Sequence, residues 1–465
     1  MRLAPSPDRL LPADPTTRAI ARTLYESVSD APILSPHGHV DAALLRDDLS
    51  FTDPADLLIV PDHYVLRLLH AHGIGLDALG RGSAGVEPRE IWRRFASHWH
   101  VFAGTPVRAW FEDTLHSVIG LDEHPSATNA DAQFDAISAW IADAASRPRA
   151  LFDRFGIEVL ATTDDPADAL EAHAALRDDA TFTGRVLPTF RPDRYFDPSA
   201  AGWPGALEQL HAASGIDTGT ASGLIAALEN RRAHFRALGA TATDTGVVDA
   251  WATRLTPGGL ERIHRAGLVG AATPDDATAY RRHMLWEMAR MSSEDGLVMQ
   301  LHPGVLRGHH RPTTERYGPD TGHDLPLFTR YTEPLRELLG DFGTNETFRM
   351  VLFTVDETSF TREIAPLAGF YPSVFAGAPW WFLDSPDGIR RFREGVTDSA
   401  GFYKTSGFID DTRAYLSIPA RHDVSRRMDA GWLATLVVTG RLDEEEAHTI
   451  AHDLVDAIPR SVFRL

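Results

Sequence analysis

Eight short apolar or β-branched runs recur along this chain, most of them separated by enough sequence for a helix. No other feature constrains the fold as strongly. The runs cover residues 31–36, 157–162, 185–190, 240–243, 297–301, 348–354, 372–376 and 406–409. A strand that returns through a helix to a neighbouring strand makes a parallel pair. Eight such units predict an α/β fold of the (β/α)8 TIM-barrel type, with an open doubly wound sheet as the alternative. A chain of 465 residues has ample length for that core.

The first interval is too long for one crossover. It carries Ile91, Trp92, Phe95, Trp99, Trp110, Phe111 and Leu115 at broadly helical spacing. Residues 65–149 are therefore expected to form an inserted helical subdomain, leaving 1–64 and 150–465 to build the barrel. Two helix starts are legible. Asp165 is placed to cap a helix with Pro166 at its first position and Asp168 in its first turn. Asp443, followed by three glutamates, reads as a capping box for a helix running through Leu454.

In such barrels the chemistry sits at the C-terminal ends of the strands. The first run ends in His37-Gly38-His39-Val40-Asp41. Histidines at i and i+2 on a strand share a face and can converge on one cation. Their alternative is a pair of loop imidazoles satisfied by backbone carbonyls. The fifth run ends in His302. The eighth ends in Asp410-Asp411-Thr412-Arg413, where an aspartate can complete a nitrogen and oxygen ligand set, act as acid/base beside a metal, or cap a helix. Arg191, Arg307, Arg413 and Arg421 follow strand ends and read as a seat for a carboxylate. Asp244 follows the fourth run as a candidate acid/base or sugar-hydroxyl partner. Trp380 and Trp381 follow the seventh as a candidate pocket wall.

Composition narrows the partners. There are 65 acidic against 45 basic side chains, a formal net charge of -20. That balance disfavours nucleic acid and acidic membrane surfaces, so an anionic substrate must be gathered by a local arginine cluster. The chain has no cysteine, which excludes disulfides, thiolate nucleophiles and thiolate ligands. It lacks an apolar signal core at its start and any run of membrane-spanning length, so a cytoplasmic location is expected. One lysine, Lys404, is present.

Taken together with Asp62-His63-Tyr64, Thr163-Asp164-Asp165-Pro166, Pro188-Thr189-Phe190-Arg191-Pro192-Asp193, Gln300-Leu301-His302, Trp380-Trp381-Phe382 and Asp411-Thr412-Arg413, these motifs resemble the uronate isomerases of the amidohydrolase superfamily, in order and in gap length. The resemblance implies interconversion of D-glucuronate with D-fructuronate and of D-galacturonate with D-tagaturonate. It implies one divalent metal, usually taken as zinc, near His37, His39 and Asp411, with His302 as a further ligand or a substrate partner. It implies that His63 and Tyr64 reach in from the start of the insertion. Arg191, Arg307 and Arg413 would hold the hexuronate, and Asp244 and a tryptophan of the 380–381 pair would line the pocket. Arg421 falls in the same implied substrate region. The family's Ser-Asp-His-Gly is here Thr243-Asp244-Thr245-Gly246, and Pro303 replaces an apolar residue after His302; both departures bear on sugar preference.

The expected reaction is an aldose–ketose proton transfer through an enediol. Tyr64 or Asp411 serves as carbon acid/base, His63 assists, and Arg413 counters enediolate charge. Tyr64 can act as a base only if a neighbouring cation lowers its pKa. The rival expectations are a mononuclear amidohydrolase-type hydrolase of a sugar-acid lactone or amide, and a silent sugar-acid binding protein. Two-metal chemistry through a carbamylated lysine is disfavoured, because Lys404 lies ahead of the eighth run. Homo-oligomerisation is common among large barrels, though no sequence feature sets its symmetry.

Overall fold

The computed structural model describes residues 2–83 and 85–465. Seven of the eight runs are strands: β1 (Ile33–Ser35), β2 (Ile157–Ala161), β3 (Arg185–Leu187), β4 (Ala242–Thr245), β5 (Val298–Leu301), β6 (Met350–Leu352) and β7 (Val374–Ala376). All neighbouring pairs are parallel, in the order β1-β2-β3 and β4-β5-β6-β7. The two sheets are linked through Phe190, which bridges Thr243 beyond the end of β3. Ala376 bridges Thr405, and the His39 N–H donates to the Thr412 carbonyl at 3.0 Å. Backbone contacts thus lead around the ring and back to the segment after β1, as the α/β barrel expectation requires.

The eighth run is the exception. Residues 406–409 form no strand, and a local reason is visible. Gly407 holds φ 73°, and a side chain there would meet Pro459 at 3.0 Å and the Leu454 carbonyl at 3.1 Å. The Ser406 hydroxyl donates to the Gly407 carbonyl and accepts the Ala378 N–H, so a side chain replaces part of the ladder. A glycine in this conformation tolerates the close approach at the cost of regular pairing.

Four α-helices of eight or more residues occupy the long first interval: His63–Ala71, Pro88–Ser97, Pro106–Asp113 and Ala130–Ile141. Trp92, Phe95, Phe102 and Leu115 are fully buried there, in one apolar cluster with Ile33, Leu160 and Leu433. The aromatics of this interval therefore pack into the same core as β1, β2 and the C-terminal helices. A second cluster joins Trp203, Tyr280 and Met284 to Met299, Leu301 and Leu352 on the other side of the barrel.

The Asp443 capping box forms as expected and opens the helix Glu444–Val455. The helix expected at Asp165 does not; the chain first turns, and the helix is Glu171–Asp178. Asp165 still accepts the Ala167 N–H at 2.9 Å, but it also accepts from the Tyr195 hydroxyl and Arg194, while Arg231 binds the Pro166 and Asp168 carbonyls. Those carbonyls are thereby held by a tertiary partner and not by a continuing helix.

Between β5 and β6 the chain leaves the barrel. Val305–Leu306 pairs antiparallel with Leu325–Pro326, and the short helix Arg311–Tyr317 lies between them. This excursion rests on the long first interval through Arg316 and Tyr317, both bonded to Asp77. It forms one side of the mouth of the principal cavity.

Candidate active site

The thirteen residues singled out by sequence reasoning all line one cavity of about 640 Å³ at the C-terminal ends of the strands. Its floor is made by His37, His39, His302 and Asp411. Both histidines of the first motif approach the same oxygen: Nε2 of His37 lies 3.2 Å and Nε2 of His39 3.0 Å from Asp411 Oδ1. They lie past the end of β1, so strand alternation alone does not set their convergence. The loop between them is fixed by the His39 N–H bond to Thr412 and by the Thr163 hydroxyl, which donates to the Gly38 carbonyl at 2.8 Å.

His302 follows β5 directly. Its ring stacks on Phe353 with centroids 4.1 Å apart and meets the His37 ring at 4.7 Å. Nδ1 of His302 lies 2.7 Å from Asp244 Oδ1, while its buried Nε2 has no protein partner. The other Asp244 oxygen lies 3.0 Å from Arg191 Nη1. Both oxygens are engaged and the side chain is 1% exposed, so Asp244 is placed to orient His302. Gly246 leaves room for the arrangement, since a side chain there would meet Arg191 Nη2 at 2.6 Å.

Donor atoms of His37, His302 and Asp411 lie within 4.8 Å of one another, with His39 Nε2 adjoining the same carboxylate. His37 Nδ1, His302 Nε2 and Asp411 Oδ1 are buried without a hydrogen-bond partner. Converging, unsatisfied imidazoles and a carboxylate could hold a divalent cation. Burial works to raise the Asp411 carboxyl, but His37 and His39 outweigh it and hold it well below the usual range. Burial lowers His39 and His302. It opposes protonation of His37 too, where Asp244 and Asp411 prevail and raise it.

His63 and Tyr64 enter on the first turn of the His63–Ala71 helix. Asp62 caps it by accepting the Tyr64 and Val65 N–H groups at 2.8 and 3.3 Å, an interaction worth about 1 kcal/mol. The two rings stack at 4.5 Å, and His63 stands edge-on to Trp381. Burial brings His63 down to about 4, so its imidazole is neutral near pH 7. The cation that Tyr64 would need is present, with Arg421 at 5.3 Å from its ring. Burial nevertheless prevails and pushes the phenol up. That direction favours a protonated Tyr64 near neutral pH.

The arginines divide by their free edges. Arg191 uses Nε on Asp193 and Nη1 on Asp244. Arg421 uses Nε on Ser417 and Nη1 on Asp384 and the Asp410 carbonyl. A bidentate grip on a carboxylate needs two adjacent free nitrogens, and neither residue keeps such an edge. Arg307 and Arg413 each spend only Nη1, on Asp324 and Asp320, and are 53% and 45% exposed. Trp380 packs edge-on to His302, and Trp381 lies under Arg307 at 5.2 Å.

Sequence reasoning did not single out Asp193, Asp320, Asp324 or Asp384. Asp193 lay within a quoted motif. Asp320 and Asp324 sit on the excursion after β5, whose length was their only signal. Lys404 does not line the cavity; its Nζ donates to the Tyr371 and Pro372 carbonyls. Among the described residues, three of the seven non-glycine residues with left-handed backbone, Asp320, Trp381 and Asp411, do line it. Each such conformation costs on the order of 1–3 kcal/mol, and such residues cluster at functional sites.

The glucuronate isomerase family matches residues 15–462. A uronate isomerase from Rhizorhabdus wittichii is 50% identical over 459 residues, covering 99% of this chain and 98% of that protein. The crystal structure of glucuronate isomerase from Caulobacter crescentus superposes with a TM-score of 0.97 at 45% identity, covering 100% of this chain and 98% of the other. That of a uronate isomerase from Thermotoga maritima gives 0.93 at 27%, covering 98% and 99%. This kinship sets aside the hydrolase and the silent binding protein. The chain belongs to the glucuronate isomerase family.

Proposed function

We propose that this enzyme, an aldose–ketose isomerase, acts on hexuronates by proton transfer through an enediol, with D-glucuronate and D-galacturonate as the aldoses. The observation that carries the reading is the division of one cavity into a floor of buried His37 and His302 with partly buried His39 and Asp411, and a rim where Arg307 and Arg413 each keep a free edge. One divalent ion, zinc, would be held by His37, His39, His302 and Asp411. When bound it would polarise the oxygens at C1 and C2 as a Lewis acid.

The chain's own groups account for the rest. Arg307 and Arg413 grip the substrate carboxylate, and Trp380 and Trp381 wall the sugar. Asp411 takes the C2 proton and returns it to C1. Tyr64 gives its hydroxyl proton to O1 and recovers one from O2, so that one carbon-bound and one oxygen-bound proton have each moved. The neutral His63 imidazole beside Tyr64 assists the oxygen relay without adding charge. Arg413 stands against the negative charge of the enediolate. Asp244 holds the tautomer and direction of His302, and Arg191 in turn holds Asp244.

The test is a coupled assay on zinc-supplemented protein with each uronate, following NADH oxidation by the matching ketouronate reductase. Turnover that disappears in His37→Ala is expected. Silence on both sugars in folded, metal-loaded protein would overturn the reading.

A further inference from the structure

We propose that Asp384 and Arg421 form a positioning pair that ties together the three segments presenting Trp381, Asp411 and Tyr64, and that Arg421 does not seat the substrate carboxylate. The inference rests on the hexuronate isomerase reading for its kinetic consequences. Its structural argument does not.

Arg421 lies in the first turn of the helix Ile418–Val438 and is 1% exposed. Its Nη1 sits 2.7 Å from Asp384 Oδ2 and donates to the Asp410 carbonyl at 3.3 Å. Nε donates to the Ser417 hydroxyl at 3.2 Å. The guanidinium plane lies 3.7 Å over the Trp110 ring and 5.3 Å from the Tyr64 ring. One side chain therefore touches the loop after β7, the loop after the eighth run and two helices of the long first interval.

Two of those segments hold a non-glycine residue in the left-handed region. Trp381, at φ 55°, is three residues before Asp384, and the Asp384 N–H donates to the Trp381 carbonyl at 3.1 Å. Asp411, at φ 41°, follows the carbonyl that Arg421 binds. Such conformations persist only where the surroundings over-determine them, and the pair supplies a fixed point beside each. A role in stability alone accounts for this poorly. A fully buried ion pair gains little over apolar residues of similar volume, because both charges lose their hydration. The donors already committed leave no adjacent free pair for a carboxylate. What the arrangement does accomplish is to fix the backbone that aims Asp411 at His37 and His39, and to back the Tyr64 ring.

The experiment compares wild type with Asp384→Asn, Arg421→Lys and the double variant in three readouts. These are zinc affinity by chelator competition, kcat and KM on D-glucuronate, and the unfolding midpoint. Loss of an outer partner of a metal ligand typically costs 10–100-fold in affinity or activity. Asp384→Asn should weaken zinc about tenfold and lower kcat about tenfold or more, with KM within twofold. The double variant should be no worse than the poorer single one. Ser417→Ala, which removes the Nε contact together with the Ser417 bonds to the Ala414 carbonyl and the Thr412 hydroxyl, should move zinc affinity and kcat the same way by less, and it stands in should the others fail to fold.

A KM raised tenfold with kcat and zinc affinity retained would make Arg421 a substrate seat and overturn the proposal. A lowered midpoint with zinc affinity and kcat intact would reduce the pair to packing and overturn it equally. Wild type that binds zinc but turns over neither uronate would count against the isomerase reading, while the zinc measurements would still decide the pair.

Discussion

The floor and the rim of the cavity are built on different principles. On the floor, His37, His302 and Asp244 are almost wholly buried, and their rings and carboxylates are fixed by strand ends, by stacking and by one another. On the rim, Arg307 and Arg413 are about half exposed, and each is steered by a single acid, Asp324 or Asp320, carried on the excursion after β5. The Arg413–Asp320 pair is open to solvent on both sides, and such pairs contribute about 0–1 kcal/mol, whereas Asp324 is buried. The floor is therefore pre-set for chemistry that tolerates little misplacement. The rim keeps a free guanidinium edge on each arginine while its acid stays in place.

The comparison breaks first at Asp411. Asp411→Asn removes the carboxylate that receives both His37 and His39 and should lower kcat by about a thousandfold or more, read in the coupled assay. Activity within tenfold of wild type would mean the floor is not the reacting centre. A second expectation concerns acid. His173 supports the floor from behind β2, with its Nε2 at 2.8 Å from the Thr162 hydroxyl. Burial lowers it from 6.5 to about 4, against the pull of Asp168 and Asp41. A histidine depressed in the fold contributes stability that is complete above its unfolded pKa and is lost as pH falls from 6.5 to about 4. The loss from this group is about 3 kcal/mol, and urea midpoints at pH 7 and 4.5 should differ accordingly. His173→Gln should flatten that difference. An unchanged pH dependence would place the acid sensitivity elsewhere.

The same contrast governs what could be read from the sequence. The floor was legible because its chemistry coincides with strand ends: His37-Gly38-His39, His302 and Asp411 each terminate an apolar run. The barrel was legible because seven of the eight runs are strands, and the eighth failed only where Gly407 and Ser406 trade a ladder for a tight backbone contact. The acids that steer the rim were not legible. Asp320 lies 93 residues from Arg413 along the chain, and no periodicity connects them. The protonation state of Tyr64 was out of reach as well. It depends on how completely Trp110, Arg421 and the helix capped by Asp62 exclude water, which is a property of packing. Asp244 was found, but only the fold reveals that His302 and Arg191 occupy both of its oxygens.

Asp244 sharpens the comparison from within the floor. Asp244→Asn keeps the shape but no longer compels a proton on His302 Nδ1, and metal affinity should fall about 10–100-fold, as measured by chelator competition. Affinity unchanged within twofold would show that stacking on Phe353 alone orients the imidazole.

The smallest effect belongs to the rim. Arg413 keeps its Nε and Nη2 edge free while Nη1 holds Asp320. If that edge grips the substrate carboxylate, Arg413→Lys retains the charge but loses the two parallel bonds. KM for D-glucuronate should then rise about tenfold, and the rise should grow with ionic strength, because a half-exposed point charge is screened more readily. The change in kcat separates the two tasks given to this residue. A drop equal to that in kcat/KM would mean Arg413 acts mainly on the enediolate, whereas an unchanged kcat would leave it as an anchor. Asp320→Asn provides the control in the opposite sense: it frees Nη1, and an anchoring Arg413 should then bind substrate somewhat more tightly.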